Sequence, residues 1–144
     1  MADTKATVSL LEKVPLFQSL KRGQLERLAK RFVERDFQTG KAIVTQGQGG
    51  EGFFIIVSGK VDVMRERSDG VKVLVNQFVS GDYFGELALL DEGIRTASVL
   101  ATEPVKCLAL TRWDFLALLR EDADMAVDIL QEMARRFRIA LDAL

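Results

Sequence analysis

Apolar residues along the chain change their spacing twice, near residue 33 and near residue 111. Between 24 and 32, Leu25, Leu28, Ala29 and Phe32 fall at i, i+3, i+4 and i+7, the spacing of one helix face, and predict a helix. A shorter helical segment is predicted around 9–13, and the polar residues 1–8 before it are expected to fray. Pro15 sits in the apolar knot Val14-Pro15-Leu16-Phe17 and prevents one helix from running through both segments. From 33 to 110 the pattern becomes one of short β segments: 33–37, 42–45, 53–57, 60–67, 71–78, 83–84, 95–100 and 105–110. Turn residues separate them, and Asp69-Gly70 is a strong hairpin signal between 60–67 and 71–78. Many short strands with frequent glycine turns predict an antiparallel barrel or sandwich.

Helical spacing returns at Thr111. Thr111 and Asp114 have the interval of a capping box, with aspartate in the glutamate position. Trp113, Phe115, Leu116, Leu118 and Leu119 then form a mostly apolar helix read as core. The run Glu121-Asp122-Ala123-Asp124 marks a break and a new helix start, with its acids near the positive helix end. In the helix that follows, from about Met125, Leu130, Met133, Phe137, Ala140 and Leu144 alternate steps of three and four, the seam of a helix pair. Part of that seam can pack on the strands. It is too short for an independent coiled coil but long enough to support a dimer held elsewhere.

A chain of 144 residues, 48% of them hydrophobic, suits one domain with a substantial core. The formal charge of −1 supplies no basic field for nucleic acid. No apolar run approaches membrane-spanning length, and the N-terminus carries no signal-peptide core. The single cysteine, Cys107, excludes an internal disulfide, fits a reducing compartment and is read as core. A cytoplasmic location is expected. The absence of histidine removes the commonest metal ligand and general base, and no nucleophile–base pair is visible, so a non-enzymatic role is expected.

The candidate chemistry gathers in residues 84–99, FGELALLDEGIRTASV. Gly85 lets a ligand approach the backbone, and the apolar turn after Glu86 is long enough for a helix start whose free N–H groups favour an anion. Nine residues after Glu86 stands Arg95, whose planar fork matches phosphate oxygens, followed by the small residues Thr96 and Ala97. Glu86 can accept hydrogen bonds from a sugar hydroxyl. Together they suggest a pocket for a small ligand with a phosphate and a free hydroxyl. The glycine-rich segment 47–52 precedes a strand and lacks the lysine and hydroxyl of a nucleoside-triphosphate loop, so it is read as tight turns.

The motif FGELALL…RTASV resembles the phosphate-binding cassette of the cyclic-nucleotide-binding domain family. VPLF followed by a short helix and a first strand is similar to that family's N-terminal approach, so the likeness covers nearly the whole chain. It implies an α+β fold. An antiparallel β-roll, double-stranded β-helix or jelly-roll-like, would span 33–110, flanked by an N-terminal helical segment (9–32) and two C-terminal helices (111–144), as one domain over 1–144. By this resemblance Glu86 holds the ribose 2′-hydroxyl, Arg95 pairs with the cyclic phosphate, and the backbone N–H groups of Gly85, Leu87 and Ala88 complete the cradle. Phe84 and Ala97 adjoin them. Thr96 is implied as a contact to the base, where a hydroxyl can meet the guanine amino group. Met133-Ala134-Arg135-Arg136 resembles the base-capping region of bacterial members, whose hydroxyl residues are replaced here by Ala140 and Leu141. Arg136 corresponds to a base-contacting arginine of channel relatives, or is part of a solvated basic helix end.

The implied function is a regulatory sensor that binds cAMP, with cGMP also accepted, and couples occupancy to the position of the C-terminal helix. A scaffold or dimerisation domain with a degenerate pocket, or the sensor piece of a transcription regulator or channel, is the alternative. Expected partners are the nucleotide, an unknown effector protein and a second copy through the C-terminal helix. DNA-binding relatives carry a helix-turn-helix after the long helix, before which this chain stops, so no direct DNA binding is expected.

Overall fold

The computed structural model describes residues 3–49, 52–91 and 94–144. Outside them lie part of the N-terminus expected to fray, Gly50 and Glu51 of the glycine-rich turn, and Glu92 and Gly93 of the cassette stretch. Helix α1 (Thr4–Leu11), a 3-10 turn (Pro15–Phe17) and α2 (Arg22–Ala29) lead into eight strands. These are β1 (Val33–Phe37), β2 (Ala42–Val44), β3 (Gly52–Ser58), β4 (Val61–Glu66), β5 (Lys72–Phe78), β6 (Tyr83–Phe84), β7 (Ser98–Ala101) and β8 (Val105–Thr111). A second 3-10 turn, Glu86–Leu89, follows β6, and α3 (Arg112–Glu121) and α4 (Ala123–Asp142) close the chain.

The strands form two four-stranded sheets, β1-β8-β3-β6 and β2-β7-β4-β5, and every pairing is antiparallel. This is the expected α+β roll. Strand β3 explains how one roll serves two cores. Its sequence GFFIIVS reads as a continuous apolar run because both of its faces are covered. Phe54 and Ile56 point between the sheets, toward Phe84, Val99 and Cys107. Phe53 and Ile55 point the other way, into a second core with Phe17, Phe115 and Ile129 of the helical segments, Phe32 of the α2–β1 link and Leu108 of β8. Phe53 is the hub of that second core, its ring 5.9 Å from Phe17 and 6.0 Å from Phe32 in edge-on contacts.

Several sequence expectations change. Residues 4–8 are helical, not frayed: the Asp3 side chain accepts from the Lys5 N–H, and Thr7 and Val8 are buried. The polar letters hid an aspartate cap and one apolar face. Helix α2 begins at Arg22 and ends at Ala29, where Gln24 reaches back to accept from the Lys21 N–H and fixes the start. Residues 95–97 do not belong to a strand, because Arg95 pairs with the 47–48 turn: its N–H donates to the Gln48 carbonyl and its carbonyl accepts from the Gly47 N–H, each at 2.9 Å. The C-terminal seam also splits. Met133 packs on the helical core with Met125 and Ile129, whereas Leu130, Phe137 and Leu144 are exposed. The break at Asp122 is as expected, its carboxylate accepting from the Met125 N–H and pairing with Arg27, while Arg31 pairs with Glu121.

Candidate functional site

At one end of the roll, β6 delivers Tyr83 and Phe84 and then stops at Gly85. Gly85 has φ of +88°, a left-handed conformation that glycine adopts without steric cost, and it opens the 3-10 turn. A Cβ there would lie 2.7 Å from both Arg95 Nη1 and the Gly52 carbonyl oxygen, so no side chain fits. Arg95 reaches the same point from the far side of the sequence and donates from Nη2 to the Gly52 carbonyl at 2.6 Å. Its Nε is buried with no hydrogen-bond partner among the described residues. Burial lowers the Arg95 pKa and Asp91 partly opposes this, which describes a cation stripped of some of its water. An anion would supply what the desolvated guanidinium lacks, so the residues fit a phosphate-bearing ligand.

The remaining predicted residues divide. Glu86 Oε1 is 4.0 Å from Arg136 Nη2, so the fold brings α4 against the cassette, with both side chains partly shielded. Tyr83 lies beside this pair, and burial, then the Glu86 charge, raise its phenol pKa. Leu87 is exposed, whereas Ala88 is buried and its N–H already donates to the Gly85 carbonyl at 3.0 Å, closing the turn. The Phe84 ring is stacked between Phe54 and Phe78, at 5.2 and 5.9 Å, and belongs to the roll core. Ala97 is half-buried and Ala140 exposed.

Arg95 lines two cavities. One, of about 330 Å³, lies among Arg35, Val44, Thr45, Gly52, Phe54 and Thr111. The other is an open recess of about 720 Å³ in which Thr96 and Arg95 face Val73 and Val75 of β5. Those valines were missed from sequence because apolar letters on a strand read as core, yet here they are 36% and 52% exposed and offer an apolar wall. Gln46 was missed as well. Its side chain accepts from the Glu66 N–H at 2.7 Å and donates to the Glu66 carbonyl at 2.9 Å, mimicking a strand pair that fixes the rim. Only the folded register could reveal that.

A roll with a short helix start and a water-stripped guanidinium at one end defines a small-molecule-binding domain of the β-roll class. The chain belongs to the cyclic nucleotide-binding domain family, whose model matches residues 34–122. A cyclic AMP receptor protein of Thermus thermophilus is 37% identical over 126 residues, covering 88% of this chain and 58% of that protein. A cAMP-dependent protein kinase regulatory subunit of Aspergillus niger is 38% identical over 111 residues, covering 77% of this chain and 26% of that one. The chain thus spans little more than half of the first relative and about a quarter of the second. Among solved structures, the N-terminal domain of a transcriptional regulator from Streptomyces coelicolor superposes with a TM-score of 0.86 at 31% identity over 94% of both chains.

Proposed function

We propose that this chain is a cyclic-nucleotide sensor that binds cAMP, accepts cGMP, and passes occupancy to α4. The observation that carries this is Arg95, a partly buried guanidinium whose Nε has no partner among the described residues, set beside the start of the Glu86–Leu89 turn. In this reading Arg95 holds the cyclic phosphate, with the backbone at Gly85 and Leu87 alongside. Glu86 accepts from the ribose 2′-hydroxyl with the oxygen that Arg136 leaves free. Thr96, with Val73 and Val75, contacts the base. The cAMP preference draws support from the names of the two relatives above.

Ligand moves α4 only through a difference in affinity between two helix positions, and the Glu86–Arg136 approach gives the site such a handle. The domain acts in the cytoplasm as one unit, by changing contacts with an effector or a second copy, and neither performs catalysis nor grips DNA itself. Calorimetric titration with cAMP and cGMP tests the proposal. Saturable binding of either one supports it, with cAMP the tighter. No heat and no thermal shift with either one overturns it in favour of a scaffold, since a ligand at 100 times its Kd stabilises by about 2.7 kcal/mol.

A further inference from the structure

Strands β4 and β7 pair in the register Val61 with Ala101, Asp62 with Leu100, Val63 with Val99 and Met64 with Ser98. Residues two apart on a strand turn their backbone groups to the same side, so the next such pair would set Glu66 opposite Thr96. The Arg67 N–H donates to the Val71 carbonyl at 2.9 Å, toward β5, which leaves the Glu66 backbone turned toward β7. Thr96 does not meet it. Strand β7 begins only at Ser98, and among the described residues neither the N–H nor the carbonyl of Thr96 has a hydrogen-bond partner. The Gln46 side chain occupies that place. Its Oε1 accepts from the Glu66 N–H at 2.7 Å and its Nε2 donates to the Glu66 carbonyl at 2.9 Å. Gln46 is itself tied to the end of β7, its N–H donating to Ser98 Oγ at 2.9 Å. A side-chain amide has replaced a main-chain one, with the same donor and acceptor.

Gln46, Glu66, Thr96, Val73 and Val75 all line the recess of about 720 Å³. Val73 pairs with Arg65, the neighbour of Glu66, so whatever holds Glu66 also holds the apolar wall. A main-chain pair between Glu66 and Thr96 would hold the wall too, but it would draw Thr96 into the sheet. We propose that Gln46 is a positioning residue. Standing in for Thr96 in the β4–β7 ladder, it sets the Val73–Val75 wall relative to a Thr96 left open to ligand, and so governs recognition of the base. The base arm of this inference rests on the cyclic-nucleotide reading above; the ladder replacement does not.

Amide hydrogen exchange in the unliganded full chain tests the ladder without any substitution. Facing residues of an unbroken ladder are protected alike, whereas here Glu66 should be protected at least about tenfold more than Thr96, the worth of one neutral hydrogen bond. Equal protection overturns the proposal. Gln46→Met keeps the length of the side chain and removes both hydrogen bonds. In that variant Glu66 should lose about tenfold in protection while Asp62, paired with Leu100, is unchanged. Unaltered protection of Glu66 also overturns it. Calorimetry then compares cAMP, cGMP and ribose 3′,5′-cyclic phosphate, which has no base. Gln46→Met should shift the ratio of cAMP to cGMP affinity by at least about threefold and the affinity of the base-free probe by less than about twofold. No change with any probe, or an equal loss with all three, overturns the positioning role. A chain that shows the exchange difference yet binds none of the three refutes the nucleotide reading and leaves the ladder replacement standing.

Discussion

Arg95 is a charge that the fold has partly dried; its guanidinium donates to the neutral Gly52 carbonyl, and among the described residues no carboxylate lies at hydrogen-bond distance from it. Removing a buried charge partner costs about 2–5 kcal/mol. Arg95→Ala should therefore weaken cyclic-nucleotide binding by about tens to thousands of times, at about 1.4 kcal/mol per tenfold. Unchanged affinity in a titration of that variant rules out its phosphate role. Thr96 is exposed at the mouth of the recess, where a hydroxyl can report on the base. Thr96→Ala should cost cGMP more affinity than cAMP, and an equal loss defeats the guanine contact. Cys107 presents the opposite case, an uncharged group that burial keeps uncharged, with its pKa pushed up to about 12. The unfolded thiol ionises near about 8.5. Its contribution to stability is thus complete below that pH and is lost as pH rises toward 12. Between pH 8 and 10 the protein should lose about 2 kcal/mol more than Cys107→Ala does, read from urea midpoints. Equal slopes would mean the thiol is not buried.

Helix α4 changes character along its length. Its first half is held by Met125, Ile129 and Met133 in the helical core, and the buried Glu132 pairs with Arg135. Past Arg136 the side chains are exposed, so the Arg136–Glu86 approach lies at the boundary between a packed and an unpacked segment. A partly exposed pair at 4.0 Å is worth under about 1 kcal/mol, so it biases the helix without clamping it. Arg136→Ala should speed amide exchange over 134–142 by up to about fivefold. No change there means Glu86 does not hold the helix. The 3-10 turn Glu86–Leu89 is anchored differently, with Leu89 buried in the helical core while Glu86 meets α4. Such an element can move only if the core contact and the helix contact move together.

At the scale of the molecule, two cores share β3 and β8, and the cassette sits where they meet. Outside them Leu130, Phe137 and Leu141 of α4, with Leu144 just past its end, are all at least half exposed along one side of the helix. Their spacing of seven, four and three matches a helix-pair seam, and such a face is expected to be covered by a second copy. Light scattering should give a dimer at tens of micromolar that Leu130→Glu with Phe137→Glu converts to monomer. A monomer at all concentrations, with and without cAMP, rejects the α4 dimer. Among the described residues no helix is long and apolar enough to cross a membrane.

The order of letters determined what local sterics and period can determine. Short β segments broken by turn residues in 33–110 and helical spacing in 24–32 and 111–144 came from how side chains and turn formers repeat along each backbone type. The hairpin at Asp69-Gly70 came from glycine's access to positive φ, seen at +86°. The cassette was legible because Glu86 and Arg95 stand nine residues apart in a single stretch. What the letters left open depends on partners distant in sequence. Gly52 meets Arg95 across 43 residues, α4 brings Arg136 to Glu86, and β5 turns Val73 and Val75 outward to the recess. Sheet register and helix packing settle those contacts, because each requires two segments to be placed in space before either side chain has a neighbour.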